Sequence, residues 1–273
     1  MEYQRIRVAR VAAALGAEVS GIDLKRALDD QTVSEIERAF LEFQVLFFRE
    51  QHLTVEQHKA FARCFGPLHI HPLRKERDGE GHPEVLVQRT GVQRPYLPSE
   101  WHSDVTFQQT PPKAGILRAV EIPPVGGDTL WSSMYAAHDA LSESMRGALA
   151  GLEAIHDFIR VDAFTQQQQR EHARDRGATH PIIRTHPETG RKFIFVNRVF
   201  TKRVKGMHEA ESRALLEFLY QHVASPDFTC RFRWSAGSIV MWDQRCTMHR
   251  VVADNVLAPR HVERVTVCER PSS

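Results

Sequence analysis

His102 and Asp104 stand two positions apart in WHSDVTF (101–107), between hydrophobic residues. In an extended segment residues i and i+2 point to one face, roughly 6–7 Å apart at Cα. Both side chains could then reach a single ion, but two ligands do not make a stable site. The third candidate is His249, in the run MWDQRCTMHR (241–250), between one strand-like segment and another. A lone histidine in a chain with fifteen is more often structural than a ligand, so its company has to set it apart.

Two histidines and one carboxylate on a β-scaffold form the facial donor set of non-haem Fe(II) oxygenases, which leaves three metal positions open. Two could take a bidentate 2-oxo acid and the third O2. RHVERVTV (260–267) follows His249 and reads as a strand. Its alternation puts Arg260, Val262, Arg264 and Thr266 on one face, with the two guanidiniums roughly 13 Å apart at Cα. Turning two permanent charges inward is costly unless anions meet them. An exposed face is the other possibility for this strand. If the face is internal, Arg260 could hold the far carboxylate of the oxo acid through a fork-shaped contact.

Zinc also binds two histidines and a carboxylate, so a zinc-dependent hydrolase is an alternative of another class, although it leaves Arg260 no cosubstrate to hold. Cys246-x-x-His249 could by itself mark a zinc site, but no second pair accompanies it. A non-catalytic binding module is the third reading.

The elements that would position these residues are short. VLFF (45–48), PEVLVQ, VTFQ, AGILRAVEI, RKFIFVN, GSIVMWD and HVERVTVCE are β-like runs separated by turn residues. Thr32-x-x-Glu35 and Thr54-x-x-Gln57 read as capping boxes opening two helices. The first carries Val33, Ile36, Phe40 and Phe43 on one stripe, and Gly66-Pro67 closes the second. Further helical stretches fall at about 134–150 and 208–224. The pattern is mainly β with flanking α-helices, a closed or two-sheet structure with helices packed outside. The polar stretch at about 160–180, with its QQQQ tract, is a candidate lid insertion or a solvated helix.

Lys+Arg 36 against Asp+Glu 34 gives a net charge of +2, too even for nonspecific nucleic-acid binding. The four cysteines (Cys64, Cys230, Cys246, Cys268) are scattered and read as free thiols. The N-terminus lacks an apolar core followed by a cleavage site, and no apolar run approaches the roughly 18 residues of a membrane span. A cytoplasmic protein without a membrane partner is expected.

The blocks GAEVSGIDL (16–24), VLFFREQ (45–51), FGPLHIHP (65–72), WHSDVTF, TPPKAGILRA, GGDTLWSSMYAAHDALS, RTHPETGRKFIFVN and MWDQRCTMHR with RHVERVTV occur in order along nearly the whole chain. Together they resemble the taurine dioxygenase and 2,4-dichlorophenoxyacetate dioxygenase family of Fe(II)/2-oxoglutarate enzymes. The resemblance implies a double-stranded β-helix, or jelly roll, as one domain over 1–273. It implies His102, Asp104 and His249 as the catalytic Fe(II) ligands, with 2-oxoglutarate and O2 as cosubstrates. Thr129, in GGDT, and Arg260 would bind the distal carboxylate of 2-oxoglutarate, and Arg264 the acidic group of a small anionic substrate. Trp242 would lie beside the iron site. Dimers or tetramers are common in the family.

Within the family, His71 matches a sulfonate-binding histidine, and Val105, Phe107 and Phe200 match apolar pocket positions. These point to an alkylsulfonate or sulfate ester. Two departures count against taurine itself. Arg74 replaces a tyrosine and would repel an ammonium, and Pro98 replaces an asparagine and offers no N–H. VNRVFTKRVKGMHEAESRALLEFLYQH, DFTCRFRW and CTMHR resemble instead the aryloxyalkanoate dioxygenases, which cleave phenoxyalkanoate ethers.

Overall fold

Apolar runs such as VLFF and IVMW suit strands covered on both faces, because successive side chains point to opposite sides. The computed structural model describes residues 2–70, 81–93, 100–157 and 177–270. The chain opens with β1 (Arg7–Arg10), β2 (Ala17–Ser20), α1 (Asp30–Phe43), β3 (Val45–Phe48), α2 (Val55–Arg63) and β4 (Val85–Thr90). β5 (Ala114–Glu121), β6 (Thr129–Ser133), α3 (Met134–Asp139), α4 (Glu143–Leu149) and β7 (Glu153–His156) follow. Next come β8 (Ala178–Pro181), β9 (Ile183–Thr185), β10 (Lys192–Ile194), β11 (Thr201–Val204) and α5 (Glu209–Val223). β12 (Thr229–Phe232), β13 (Ile239–Asp243), β14 (Thr247–Val251) and β15 (Arg260–Val267) complete the fold.

One seven-stranded sheet runs β1-β2-β3-β13-β5-β15-β4. The three-stranded sheet β12-β6-β14 faces it across a shared core, β11-β7-β8 form another three-stranded sheet, and β9 pairs with β10. This is a jelly roll with helices outside. Alternation along β3 and β13 builds two cores. Val45, Phe47, Val240 and Trp242 point between the sheets, toward Trp131, Phe232 and Trp234. Leu46, Phe48, Ile239 and Met241 point the other way, against Ile36, Phe40 and Phe61 of α1 and α2. Phe47 stacks on Phe232 at 4.3 Å between centroids. Opposite Trp242, Gly115 leaves the indole room that any Cβ would fill.

The helix starts divide. Thr54 and Gln57 form the expected capping box. Thr32 and Glu35 do not. Asp29 is the N-cap and accepts from the Thr32 N–H, while the Glu35 carboxylate accepts backbone N–H bonds from Gln4, Arg5 and Ile6. An aspartate three residues earlier caps better, and Glu35 is drawn to backbone donors of the N-terminal segment. The stretch 134–150 is two helices, broken at Ala140–Ser142, where Ser142 caps the second. VTFQ is not a strand: residues 104–107 form a turn. HIHP beyond Ile70, Arg74, Pro98 and most of the candidate lid lie outside the described residues.

His58 is fully buried, its Nε2 3.0 Å from the Ile116 carbonyl, and burial pushes it down to about 3, as burial also does for His156. The folded protein holds both rings neutral, so below the ordinary 6.5 the unfolded chain binds more protons. Unfolding free energy should therefore fall as pH drops from 6.5 toward 3. Urea unfolding across that window should show the slope, and His58→Met should flatten it; an unchanged slope would mean the ring is not held neutral.

Candidate active site

Residues 102–104 lie against the segment that runs from β13 through a turn into β14, which crosses from one sheet to the other, and each is fastened to it. His102 and His249 exchange backbone hydrogen bonds of 3.1 and 2.8 Å. Ser103 Oγ donates to the Thr247 carbonyl at 2.6 Å. Asp104 accepts from Gln244 Nε2 at 2.5 Å and returns its own N–H to Gln244 Oε1 at 3.3 Å. After this bridge the chain turns sharply, with Val105 at φ 56°. A β-branched residue in that region is strained, by on the order of 1–3 kcal/mol. Surrounding bonds hold the turn, which aims the Asp104 side chain back toward the two imidazoles.

One ligand atom from each of His102, Asp104 and His249 lies within 4.8 Å of the others. His102 Nε2 is 3.8 Å from Asp104 Oδ1, and His249 Nε2 is 3.7 Å from Asp104 Oδ2. His102 Nδ1 is 2.7 Å from the Glu100 carbonyl, so it carries the proton and leaves the Nε2 lone pair facing inward. Burial, helped by neighbouring His102, pushes His249 down to about 3, so its ring is held neutral. Burial penalises the Asp104 carboxylate, yet the Arg264 guanidinium overrides this and holds it well below the ordinary carboxylate range. Arg264 Nη1 donates to Asp104 Oδ2 at 2.6 Å. Two imidazoles with their Nε2 atoms turned to an ionised carboxylate fit a divalent metal.

The cavity beside this cluster has a volume of about 120 Å³. Its walls come from paired strands: Thr129 opposite Val251 and Trp131 opposite His249 across β6 and β14. β15 adds Arg260 and Arg264 from one face, as alternation requires, and Trp234 and Trp242 close the cavity. Trp234 Nε1 donates to Thr129 Oγ1 at 2.9 Å, which leaves the threonine's own proton for another acceptor. Arg260 is buried, and Gly127, at φ 71°, lets the GGDT loop run along its stem. One end of the cavity therefore offers a guanidinium and a hydroxyl donor, and the other an arginine over the His-Asp-His cluster.

Val105, Phe107 and Phe200 form a separate apolar cluster that begins at the residue after Asp104; the Phe107 and Phe200 rings lie 5.3 Å apart. Buried polar bonds hold it. Asn197 Nδ2 donates to Thr106 Oγ1 at 3.1 Å, and Asn197 Oδ1 accepts from Val199 and Phe200. His156 Nδ1 meets the same Thr106 hydroxyl at 3.0 Å. His71 lies outside the described residues.

Sequence reasoning missed Gln244, Gln88, Leu117, Trp131, Trp234 and Val251, all but the first of which line the cavity. Period-two alternation through β6 and β14 would have found Trp131 and Val251. It also missed a second potential donor group, His186, Asp243 and Cys246. Cys246 therefore does not share a site with His249. In this group both oxygens of Asp243 accept from Arg245, and His186 Nδ1 accepts two backbone N–H groups. With His186 Nε2 on Asp243 Oδ2 at 3.1 Å, those bonds occupy Asp243 and His186 and tie them into a buried polar lock at the β13–β14 turn.

The family model described as "Taurine catabolism dioxygenase TauD, TfdA family" matches residues 7–266. The alpha-ketoglutarate-dependent sulfate ester dioxygenase of Pseudomonas putida is 37% identical over 268 residues, covering 94% of this chain and 87% of that protein. The alpha-ketoglutarate-dependent 2,4-dichlorophenoxyacetate dioxygenase of Cupriavidus pinatubonensis is 37% identical over 273 residues, covering 93% and 94%. The crystal structure of a putative alpha-ketoglutarate-dependent taurine dioxygenase from Burkholderia xenovorans superposes with a TM-score of 0.84 at 39% identity, covering 96% of this chain and 92% of that one.

The two donor groups make different predictions. Metal-free protein titrated with Co(II) without oxygen should take up one ion, with a visible d–d spectrum. His249→Ala should abolish it and Cys246→Ala should leave it intact; the reverse pattern would move the metal to the second group.

Proposed function

The chain belongs to the taurine catabolism dioxygenase TauD, TfdA family, and from that premise we propose that it is an Fe(II)- and 2-oxoglutarate-dependent dioxygenase acting on a small anionic organic molecule, most readily a sulfate ester or alkylsulfonate. The observation that carries this reading is that two arginines, Arg260 and Arg264, line one cavity together with the His102, Asp104 and His249 cluster. A hydrolytic zinc centre would need only one anion site, and a passive binding module would need no cluster. Both give way to a reading in which one arginine holds a cosubstrate and the other a substrate.

In this reading His102, Asp104 and His249 hold the iron. The chemistry supplied by iron when bound is O2 activation, which couples oxidative decarboxylation of 2-oxoglutarate, to succinate and CO2, with hydroxylation of a substrate carbon. Arg260 receives the distal carboxylate in a charge-assisted contact, and the Thr129 hydroxyl donates to it. Trp131, Trp234 and Trp242 exclude water along that arm. Arg264 draws the substrate's anionic group to the cluster and so fixes which carbon is presented. Val105, Phe107 and Phe200 hold the organic part against a dry wall. Hydroxylation at a carbon bearing a sulfate or sulfonate leaves a product that collapses to a carbonyl compound and an inorganic anion.

The relative named as a sulfate ester dioxygenase and the match of His71 support the sulfur oxyanion. The Phe107–Phe200 pair and the 2,4-dichlorophenoxyacetate relative favour a second reading, an aryloxyalkanoate substrate. Succinate release with Fe(II), 2-oxoglutarate and O2 should rise with one class among alkyl sulfates, alkylsulfonates and phenoxyalkanoates. Arg264→Leu should raise KM for that class by on the order of 10- to 100-fold, the worth of a lost hydrogen bond to a charged group. If none of these anions stimulates succinate release, the substrate assignment fails.

A further inference from the structure

Gln244 has no place in the roles assigned so far, yet it touches a proposed ligand twice. Its amide is oriented without ambiguity, because Oε1 faces the N–H of Asp104 and Nε2 faces a carboxylate oxygen. It is 1% exposed and sits in the turn between β13 and β14, where its own N–H bonds the Lys113 carbonyl at 3.0 Å. On either side that turn is locked by Asp243 and Arg245, the latter also bonded to Glu188 and Glu269. The side chain therefore projects from rigid backbone.

The two oxygens of Asp104 are unequal. Oδ2 accepts from both Gln244, at 2.5 Å, and Arg264, at 2.6 Å, which fills its lone-pair directions. Each oxygen also has one imidazole nitrogen too far for a hydrogen bond, His102 Nε2 at 3.8 Å from Oδ1 and His249 Nε2 at 3.7 Å from Oδ2, so the difference is that Oδ2 carries both donors. One donor to Oδ2 is the arginine that a substrate anion would compete for. Gln244 is the donor that such competition leaves in place.

We propose that Gln244 is a positioning residue that holds Asp104 so that Oδ1 alone faces the metal, and that it keeps this hold when a substrate anion draws Arg264 away. The inference rests on the dioxygenase reading of the site. Without Gln244 the carboxylate can rotate about its Cβ–Cγ bond, and Arg264 alone would drag it toward the substrate side.

The test is anaerobic titration of metal-free protein with Co(II), read by d–d absorption, beside thermal unfolding of the same metal-free protein. Gln244→Met keeps side-chain length and removes both contacts. It should weaken Co(II) binding by roughly 10- to 100-fold, the usual cost of losing an outer hydrogen-bond partner. Arg264→Leu, which leaves Gln244 in place, should weaken it less. A merely structural role would lower the melting temperature with Co(II) affinity unchanged, and that result overturns the proposal. So does a larger loss in Arg264→Leu than in Gln244→Met. If Gln244→Met does not fold, Gln244→Leu, a smaller apolar side chain that likewise deletes the donor to Oδ2 without adding charge, carries the same expectation. Failure of the wild type to bind Co(II) would overturn the dioxygenase reading itself, an outcome distinct from equal binding by wild type and variant.

Discussion

The site depends on how three consecutive residues of one loop are tied to the turn after β13 and to β14. His102 pairs through its backbone with His249, Ser103 through its hydroxyl with the Thr247 carbonyl, and Asp104 through its carboxylate with Gln244. A loop on its own pays conformational entropy for every fixed residue. Here the strained turn at Val105 is held because the residues before it are bonded to β14 and to the turn that precedes it. The two histidines thus face each other with ring centroids 4.3 Å apart, though they come from distant parts of the chain.

The second constraint is charge. Burial removes the proton from His249 and would neutralise Asp104 as well, were Arg264 not beside it. His249 and Asp104 are thereby already in the protonation states a metal would require. Arg264, ion-paired with Asp104, and Arg260 both line one small cavity, where an anion would find a favourable field. The same strand, β15, carries both, and its other face buries Glu263 against Arg118. Alternation along one strand thereby separates a structural ion pair from two guanidiniums turned to the cavity.

Much of this is legible in the sequence, for identifiable reasons. Residue type and order single out His102, Asp104 and His249, and period-two alternation puts Arg260 and Arg264 on one face. The path of the chain between them is less legible. Extended geometry predicts that His102 and Asp104 converge by pointing the same way from a strand, whereas they converge through a backbone bridge and a turn. Nothing in VTF announces a valine with positive φ, because that conformation is imposed by bonds made far away in the chain. Glu35 misleads for a related reason: a capping-box spacing describes local competition, and the N-terminal segment supplies three backbone donors that the spacing does not contain. Gln244 reads as a polar turn residue until the turn is folded over Asp104.

The central claim is that His102, Asp104 and His249 hold Fe(II) beside a pocket for 2-oxoglutarate. Its most direct measurement is the visible absorption spectrum after anaerobic addition of Fe(II) and then 2-oxoglutarate. A charge-transfer band should appear on adding the oxo acid, arising from its chelation of the ferrous ion, and should vanish in His102→Ala. Absence of the band in wild-type protein, or its persistence in that variant, would contradict the account.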